Sequence, residues 1–216
     1  MVNRIRLKQS LSIAVYEYRR WLFNSRFILI IALIMYIYFF SVKPLINLSL
    51  VMDDKLGLFE AYIAVINSKS LTVIIIFIYM VLIADFPKTD SNLLLVLTRT
   101  NKLTWILGEM LFYFFTSVSF VALVVISSMF LTFQYSDIND DWSNTVVNYP
   151  NIFPEKASSF EANLISKELV NQLSPFEVCV HSSLLILLYL FLISLLFLLF
   201  YLLGKKNRQC SKCFIG

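Results

Sequence analysis

Four long apolar stretches, separated by charged segments, constrain this chain more than any other feature. Two of them, Met110 to Ser136 and Val178 to Gly204, each run for 27 residues without an acidic or basic side chain. A helix of about 20 apolar residues is enough to cross the hydrocarbon core of a bilayer. The other two, Phe27 to Val42 and Ser70 to Ala84, are shorter, but flanking Lys and Arg side chains can extend toward the headgroups. Because the longest stretches exceed the length of a barrel strand, the sequence predicts a bundle of transmembrane helices.

The predicted fold is an all-α membrane protein with four spans and an N-terminal amphipathic elbow helix. Hydrophobic residues make up 59% of the chain and charged residues 15%, a balance that excludes an ordinary soluble domain. The elbow helix is placed at residues 1–26, the transmembrane domain at residues 27–204 and a basic tail at residues 205–216. The spans are predicted at about residues 27–48, 66–86, 105–135 and 178–203. Residues 87–104, the connector, join the second and third spans, and residues 136–177 form the outer loop.

The distribution of basic residues predicts the orientation. The first 26 residues contain six Lys and Arg, the segment 87–103 contains three, and the tail after Gly204 contains four. The outer loop instead carries seven acidic residues and two Lys. Since basic loops stay on the cytoplasmic side, we expect a multi-pass protein of the cytoplasmic membrane with both termini and the connector in the cytoplasm. The net charge of +4 is the sum of these two faces and does not indicate nucleic-acid binding.

Apolar residues recur at helical spacing ahead of the first span: Leu7, Leu11, Ala14, Val15, Tyr18 and Leu22. Arg6, Glu17 and Arg20 fall on the opposite side. This pattern predicts an amphipathic helix at the cytoplasmic interface, with Trp21 at headgroup depth. Two interpretations stay open. The helix is either a simple basic anchor, or an elbow that packs beside the bundle and braces it against a cytoplasmic partner.

The connector contains a short apolar segment between polar residues. Pro87 ends the preceding helix, since its ring removes a backbone donor, and the Asp90 carboxylate can cap a new helix. The apolar run 93–97 covers only about 7 Å at 1.5 Å per residue, so it cannot cross the membrane. It is predicted to lie along the surface or dock into a partner. Basic and aromatic residues then lead into the third span: Arg99, Lys102 and Trp105.

This order of features resembles the permease subunits of ATP-binding-cassette transporters, in the type-2 exporter class. The most family-like residues lie in and around the connector: Phe86, Pro87, Arg99, Trp105, Gly108 and Tyr113. In that family, a short cytoplasmic coupling helix between the second and third spans contacts a separate ATPase subunit. The resemblance implies that six residues here contact the ATPase: Asp90, Leu93, Leu94, Leu97, Arg99 and Lys102. It also implies a non-catalytic chain that pairs with a second permease subunit in membrane lipid, with ATP and magnesium bound by the partner ATPase.

The chain departs from this family in its number of spans. Permeases of the family usually have six spans, whereas this sequence predicts four. The alternatives are a truncated copy, a frameshifted copy and a naturally short form. A subunit with four spans would lack the last two spans of the family, which puts transport competence in question.

Two acids near the inner ends of the second and third spans are candidate coupling residues, because an acid there is costly unless it is paired or hydrated. One hypothesis makes Asp85 and Glu109 ion-pair partners of Arg99 or Lys102, which would couple the connector to the bundle. The simpler hypothesis, which we favour, places both at headgroup level.

Other reactive residues do not form a recognisable site in the sequence. The four glycines form no phosphate-binding loop with a Lys. His181 has no second His and no nearby arrangement of Ser and Asp that would indicate nucleophilic catalysis, so a satisfied or lipid-edge histidine is expected. Cys210 and Cys213 form a C-x-x-C pair that is half of a structural zinc site, but a disordered tail is the favoured interpretation. In the outer loop, Ser158 and Glu161 have capping-box spacing and predict a short amphipathic helix. No cofactor is expected to be bound by this chain.

Two classes of function fit these features. The first is a membrane-spanning subunit of an ATP-driven exporter for an amphipathic peptide, a lipid or a drug-like molecule. The second is a non-transporting anchor, immunity, sensor or assembly protein that uses its acidic outer loop for recognition. An intramembrane enzyme ranks third, because the predicted spans lack paired catalytic groups.

Overall fold

Helices account for nearly all regular structure in the computed structural model, which describes residues 2–87, 100–138, 140–152, 165 and 167–213. These residues contain nine α-helices: α1 (Val2–Leu22), α2 (Ile28–Ile37), α3 (Lys43–Met52), α4 (Glu60–Asn67), α5 (Lys69–Ile83), α6 (Lys102–Thr132), α7 (Asn144–Ile152), α8 (Lys167–Gln172) and α9 (Pro175–Cys213). Two strands, β1 (Leu56–Gly57) and β2 (Ser136–Asp137), pair in parallel, with Leu56 opposite Ser136 and Gly57 opposite Asp137.

Among the residues that the structure describes, three helical segments are long and apolar enough to cross a membrane: Ser25–Met52, Lys102–Tyr135 and Pro175–Gly204, with 28, 34 and 30 residues. The α4 and α5 helices pass the same test only as a pair, and they are bent by 86° relative to each other. The chain is therefore a candidate multi-pass membrane protein with three spans, or four if the bent pair is one span. The prediction of an all-helical membrane protein is confirmed at this level.

The first of these segments contains a wide turn between α2 and α3. Residues Tyr38–Val42 form a π-helix, and the Lys43 N–H donates to the Tyr38 carbonyl five residues earlier. Pro44 follows at the start of α3. Because proline has no N–H and its ring presses on the carbonyl four residues earlier, an ordinary α-turn is unfavourable at this point. The wider turn lets the helix continue without a break.

The bend between α4 and α5 lies at Ser68, which has an extended backbone conformation (φ −76°, ψ 111°). The Thr72 hydroxyl lies 2.9 Å from the Ile66 carbonyl and 3.0 Å from the Ser68 carbonyl, and it donates to these groups at the break. The second predicted span, residues 66–86, therefore starts at a corner. With 15 residues, α5 is roughly 22 Å long, which is shorter than a hydrocarbon core of about 30 Å.

Contacts divide the chain into two compact units, one made of Met1–Phe27, Tyr79–Ser119 and Leu187–Gly216, and the other of Ile28–Ile78 and Phe120–Ile186. In the first unit, α1 packs on the first half of α6. The Ser10 hydroxyl donates to the Thr104 carbonyl over 2.9 Å, and the Tyr18 and Ser119 hydroxyls are hydrogen-bonded at 2.6 Å. These contacts extend over about four turns of α6.

The face that α1 buries differs from the prediction. Its buried residues are small, polar or aromatic: Ser10, Ala14, Glu17 and Trp21. Its exposed residues include four large apolar side chains, Leu7, Leu11, Val15 and Leu22, beside polar ones such as Lys8 and Arg19. The expectation that Glu17 lies on the polar, outward side is wrong, because its side chain is buried. Trp21 is buried as well, and its depth relative to the headgroups stays a prediction. Where lipid rather than water covers a helix, polar groups turn toward protein and leucines turn outward.

We expect Gly108→Ala to destabilise the contact between α1 and α6. A Cβ at this position would lie 3.0 Å from the Ile13 Cβ and 3.1 Å from the Ser10 carbonyl oxygen. Overpacking of this kind costs about 1–3 kcal/mol, so the melting temperature of the purified protein in detergent should fall. Gly204→Ala is the matched control, because no heavy atom lies within 4 Å of the added Cβ. A melting temperature for G108A equal to that of G204A would contradict this packing.

Candidate functional site

Both ends of the connector are bonded to α1 or to the turn that follows it. In that turn, Arg26 donates from Nη1 to the Val81 carbonyl over 2.7 Å and from Nη2 to Asp85 Oδ1 over 2.8 Å. These acceptors lie just before the connector. At its other end, the Thr104 carbonyl accepts from Ser10 of α1. The α1 helix and its turn therefore link the end of α5 to the start of α6.

A second link joins α6 to the residue that precedes the connector. The Tyr113 hydroxyl donates to the Phe86 carbonyl over 3.1 Å, and the Phe86 and Phe112 rings lie 5.0 Å apart between centroids. All three side chains are buried. Because Phe86 is held through both its ring and its carbonyl, the end of the second predicted span is fixed against α6.

The Asp85 carboxylate pairs with Arg26, whereas the coupling hypothesis assigned it to Arg99 or Lys102. Arg99 lies outside the described residues. The Arg26 and Asp85 side chains are 35% and 42% exposed, so their ion pair contributes only about 0–1 kcal/mol. The position of Asp85 at headgroup level stays a prediction. In the sequence, Arg26 is only a basic residue flanking the first span, and its spacing from Asp85 gives no signal of this pairing.

Glu109 is fully buried within the protein, and its position at headgroup level stays a prediction. Its polar neighbours are Trp105, one turn earlier on α6, and Glu17 of α1. Within the described part of the chain, neither Glu109 oxygen forms a hydrogen bond of good geometry. The reason for the burial is that α1 covers this face of α6. Two buried acids beside each other, at the inner end of a candidate span, are a candidate functional feature.

Tyr79 connects three helices through a buried cluster of hydroxyl groups. Its hydroxyl lies 2.8 Å from the Ser117 hydroxyl, 2.7 Å from that of Ser194 and 3.4 Å from that of Thr116. Tyr79 belongs to α5, Ser117 and Thr116 to α6, and Ser194 to α9. Thr116, Ser117 and Ser194 are 37, 38 and 115 residues away from Tyr79 in the sequence. No local sequence pattern could therefore have revealed the cluster. It lies on the same face of α6 as Glu109 and Tyr113.

In the second unit, a buried carboxylate organises the loops outside the spans. Glu60 accepts hydrogen bonds at 3.0 Å from the Gly57 N–H, at 2.6 Å from the Ser143 N–H and at 2.8 Å from the Ser143 hydroxyl. Glu60 is the first residue of α4 and Gly57 lies before the helix, so this contact is not a capping box and no pattern in the sequence indicated it. The outer loop is also fixed at Thr145, whose N–H donates to Asp54 Oδ2 over 3.3 Å.

The remaining predicted site residues are only partly described. Five of the predicted ATPase contacts lie outside the described residues: Asp90, Leu93, Leu94, Leu97 and Arg99. The sixth, Lys102, is exposed at the first position of α6. The Ser158 and Glu161 pair also falls outside them, as does the side chain of Arg6. Arg20 lies 3.5 Å from Glu17 and stacks over the Tyr16 ring.

The C-terminal segment is helical rather than disordered, because α9 continues to Cys213. The side chains of Cys210 and Cys213 are not described. No group of three His, Cys, Asp or Glu side chains that could hold a metal ion occurs in the described ranges. The Nδ1 atom of His181 lies 2.7 Å from the Glu177 carbonyl oxygen, which agrees with the expectation of a satisfied histidine.

Comparison of the chain with family models, with curated proteins and with solved structures found no match. The geometry of the site therefore stands without a relative whose residues could be aligned to it.

Tyr79→Phe should reduce the free energy of unfolding. Hydrogen bonds between membrane helices contribute about 0.6 kcal/mol on average and up to about 1.7 kcal/mol, and this hydroxyl has three partners, so we expect a loss of about 1–2 kcal/mol. Unfolding in mixed micelles measures the change. Tyr189→Phe is the control, because Tyr189 is half exposed. If both variants unfold like the parent protein, the hydroxyl cluster does not hold the helices together.

Glu60→Gln should loosen the outer loop. The substituted amide would turn an NH₂ group toward backbone N–H donors, and hydrogen bonds to a charged group contribute about 1.5–3 kcal/mol each. We expect faster cleavage of residues 136–177 by added protease, measured by mass spectrometry. Asp141→Asn removes an exposed charge from the same loop and should leave the cleavage rate unchanged. Equal rates for both variants would argue against this role of Glu60.

Proposed function

We propose that this chain is a membrane-spanning subunit of an ATP-driven exporter, which forms part of the translocation pathway and couples to a separate ATPase through the connector. The observation that best supports the proposal is the attachment of the two connector ends to α1 and to the turn that follows it. Arg26 bonds to Val81 and Asp85 before the connector, and Ser10 bonds to Thr104 after it. A force applied to the connector would therefore move the end of α5, the start of α6 and α1 together.

The buried hydroxyl cluster would transmit this movement to a third helix, α9. Tyr79 lies two residues before the Val81 carbonyl that Arg26 binds, and its hydroxyl contacts Ser194 of α9. In the proposed mechanism, ATP-driven closure of two ATPase subunits pushes on residues 90–102. The ends of α5 and α6 tilt, and α9 follows through the hydroxyl contacts. ATP and magnesium are bound by the partner, and this chain performs no covalent chemistry.

The proposed assembly contains a second permease subunit in the cytoplasmic membrane, with both termini and the connector on the cytoplasmic side. The exposed side chains of α9 support a lipid-facing or subunit-facing surface, since they are almost all large and apolar. The polar side chain at the middle of the same helix, Ser194, is buried. This arrangement suits a helix surrounded by hydrocarbon and other helices.

A second candidate function is recognition by the outer loop, in an immunity, sensor or assembly protein. It is favoured by the order that Glu60 and Asp54 impose on residues 143–145. The same loop leaves Ile138, Asp140 and Asp141 exposed. A fixed loop with an exposed apolar residue beside two acids is suited to binding a protein surface.

Copurification separates the two functions. A tagged copy in its native cells should bring down a nucleotide-binding subunit, and Leu95→Asp should abolish this, because a charge would disrupt an apolar contact. Ile138→Asp makes the same kind of change at a residue that is 78% exposed in the outer loop, and it should leave the ATPase bound. Recovery of a different protein, lost in I138D but not in L95D, would support recognition and refute the exporter proposal.

A variant of Arg26 tests the transmission step separately from binding. We expect Arg26→Gln to copurify with the ATPase but to weaken the coupling between ATP hydrolysis and substrate movement, because two hydrogen bonds to the end of α5 are lost. Lys55→Gln is the control, since Lys55 is an exposed basic residue of the second unit. Unchanged coupling in R26Q would show that α1 does not transmit the movement.

A further inference from the structure

An apolar groove lies along α6 in the first unit. Its volume is about 650 Å³, and its walls come from Leu7 and Ser10 of α1, from Leu107 and Phe114 of α6, and from Phe191 of α9. It follows α6 from Leu103 to Phe114, a distance of roughly 16 Å at 1.5 Å per residue. That length is close to half of a hydrocarbon core of about 30 Å, which is the depth of one lipid leaflet.

The chemistry of the groove suits a hydrocarbon chain. Its two polar residues, Ser10 and Thr104, lie at one end, and the Ser10 hydroxyl donates to the Thr104 carbonyl. This donor is therefore already used within the protein. The remaining wall is aliphatic or aromatic, and Leu7, Leu107 and Phe114 are partly open to the surroundings. Because α6 belongs to a candidate span, these surroundings are the bilayer itself.

Two lysines mark the polar end of the groove. Lys8 follows the wall residue Leu7, and Lys102 precedes the wall residue Leu103. Both lysines are exposed, and neither forms an ion pair or hydrogen bond with another described residue. No acidic residue contributes to the groove wall. Basic residues beside a membrane attract anionic headgroups, so charge complementarity selects an anionic lipid.

We propose that this groove binds one anionic phospholipid, with an acyl chain between α1 and α6 and the phosphate group at Lys8 and Lys102. The bound acyl chain covers Leu7 and Leu107 on the open side of the contact between α1 and α6. The site is independent of the exporter proposal, because it needs only the membrane and the first unit.

Native mass spectrometry of the detergent-purified protein tests the site after exchange into equal amounts of phosphatidylglycerol and phosphatidylcholine. We expect retention of one phosphatidylglycerol. Leu107→Trp should abolish this retention by filling the groove. Val118→Trp adds the same ring on α6 outside the groove walls and should retain the lipid.

The two lysines are tested by the double variant Lys8→Ala, Lys102→Ala, which should lower retention about tenfold. Arg19→Ala removes another exposed basic residue of α1 and should leave retention unchanged.

Photo-labelling of the parent protein gives a second readout that does not depend on how the variants fold. Phosphatidylglycerol with a diazirine on its acyl chain should label groove residues such as Leu107 and Phe114. Equal retention of the two lipids, labelling spread evenly over the exposed surface, or a crosslink that places a second copy of the chain in the groove would each overturn the proposal.

Discussion

The absence of water around a membrane helix is the constraint on which the rest of this structure depends. A polar group on such a helix must find a partner inside the protein. Ser10 of α1 finds the Thr104 carbonyl, and the Tyr79 hydroxyl finds those of Ser117 and Ser194. These contacts decide which helix faces meet, because apolar side chains are equally well solvated by lipid and by protein. Packing in the first unit is therefore directed by a few hydroxyl groups more than by its many leucines.

The same constraint explains which parts of the fold could be predicted. Segment length and the distribution of charge identified the apolar helices, since both follow from the thickness of the bilayer. The orientation of α1 could not be predicted in this way. Its periodicity was correct, but periodicity does not say whether the apolar side faces a protein core or lipid. The corner at Ser68 was also missed, although the polar run from Asn67 to Ser70 interrupts the apolar sequence there and serine is a preferred residue at a helix N-terminus.

The candidate sites were harder to predict than the helices, because their partners are distant in sequence. Glu60 and Ser143 are 83 residues apart, and Arg26 and Asp85 are 59 residues apart. The positions of Asp85 and Glu109 near the ends of apolar stretches mark them as acids that need an explanation. Sequence analysis could not foresee that Arg26 would pair with the first, or that α1 would cover the second. Such pairings depend on how helices pack, and packing is not encoded in the spacing of residues along one helix.

The length of α9 has a mechanical consequence. The helix runs unbroken for 39 residues, and Ser194 ties it to Tyr79 near its middle. From Ser194 to Cys213 the helix extends roughly 28 Å at 1.5 Å per residue. Ring contacts of Phe191 with Phe114 and of Tyr201 with Trp105 hold the helix on either side of Ser194, so its last turns extend beyond these contacts as a stiff arm. A small change in its angle would displace its basic C-terminal end by several ångströms, while the pinned hydroxyl hardly moves.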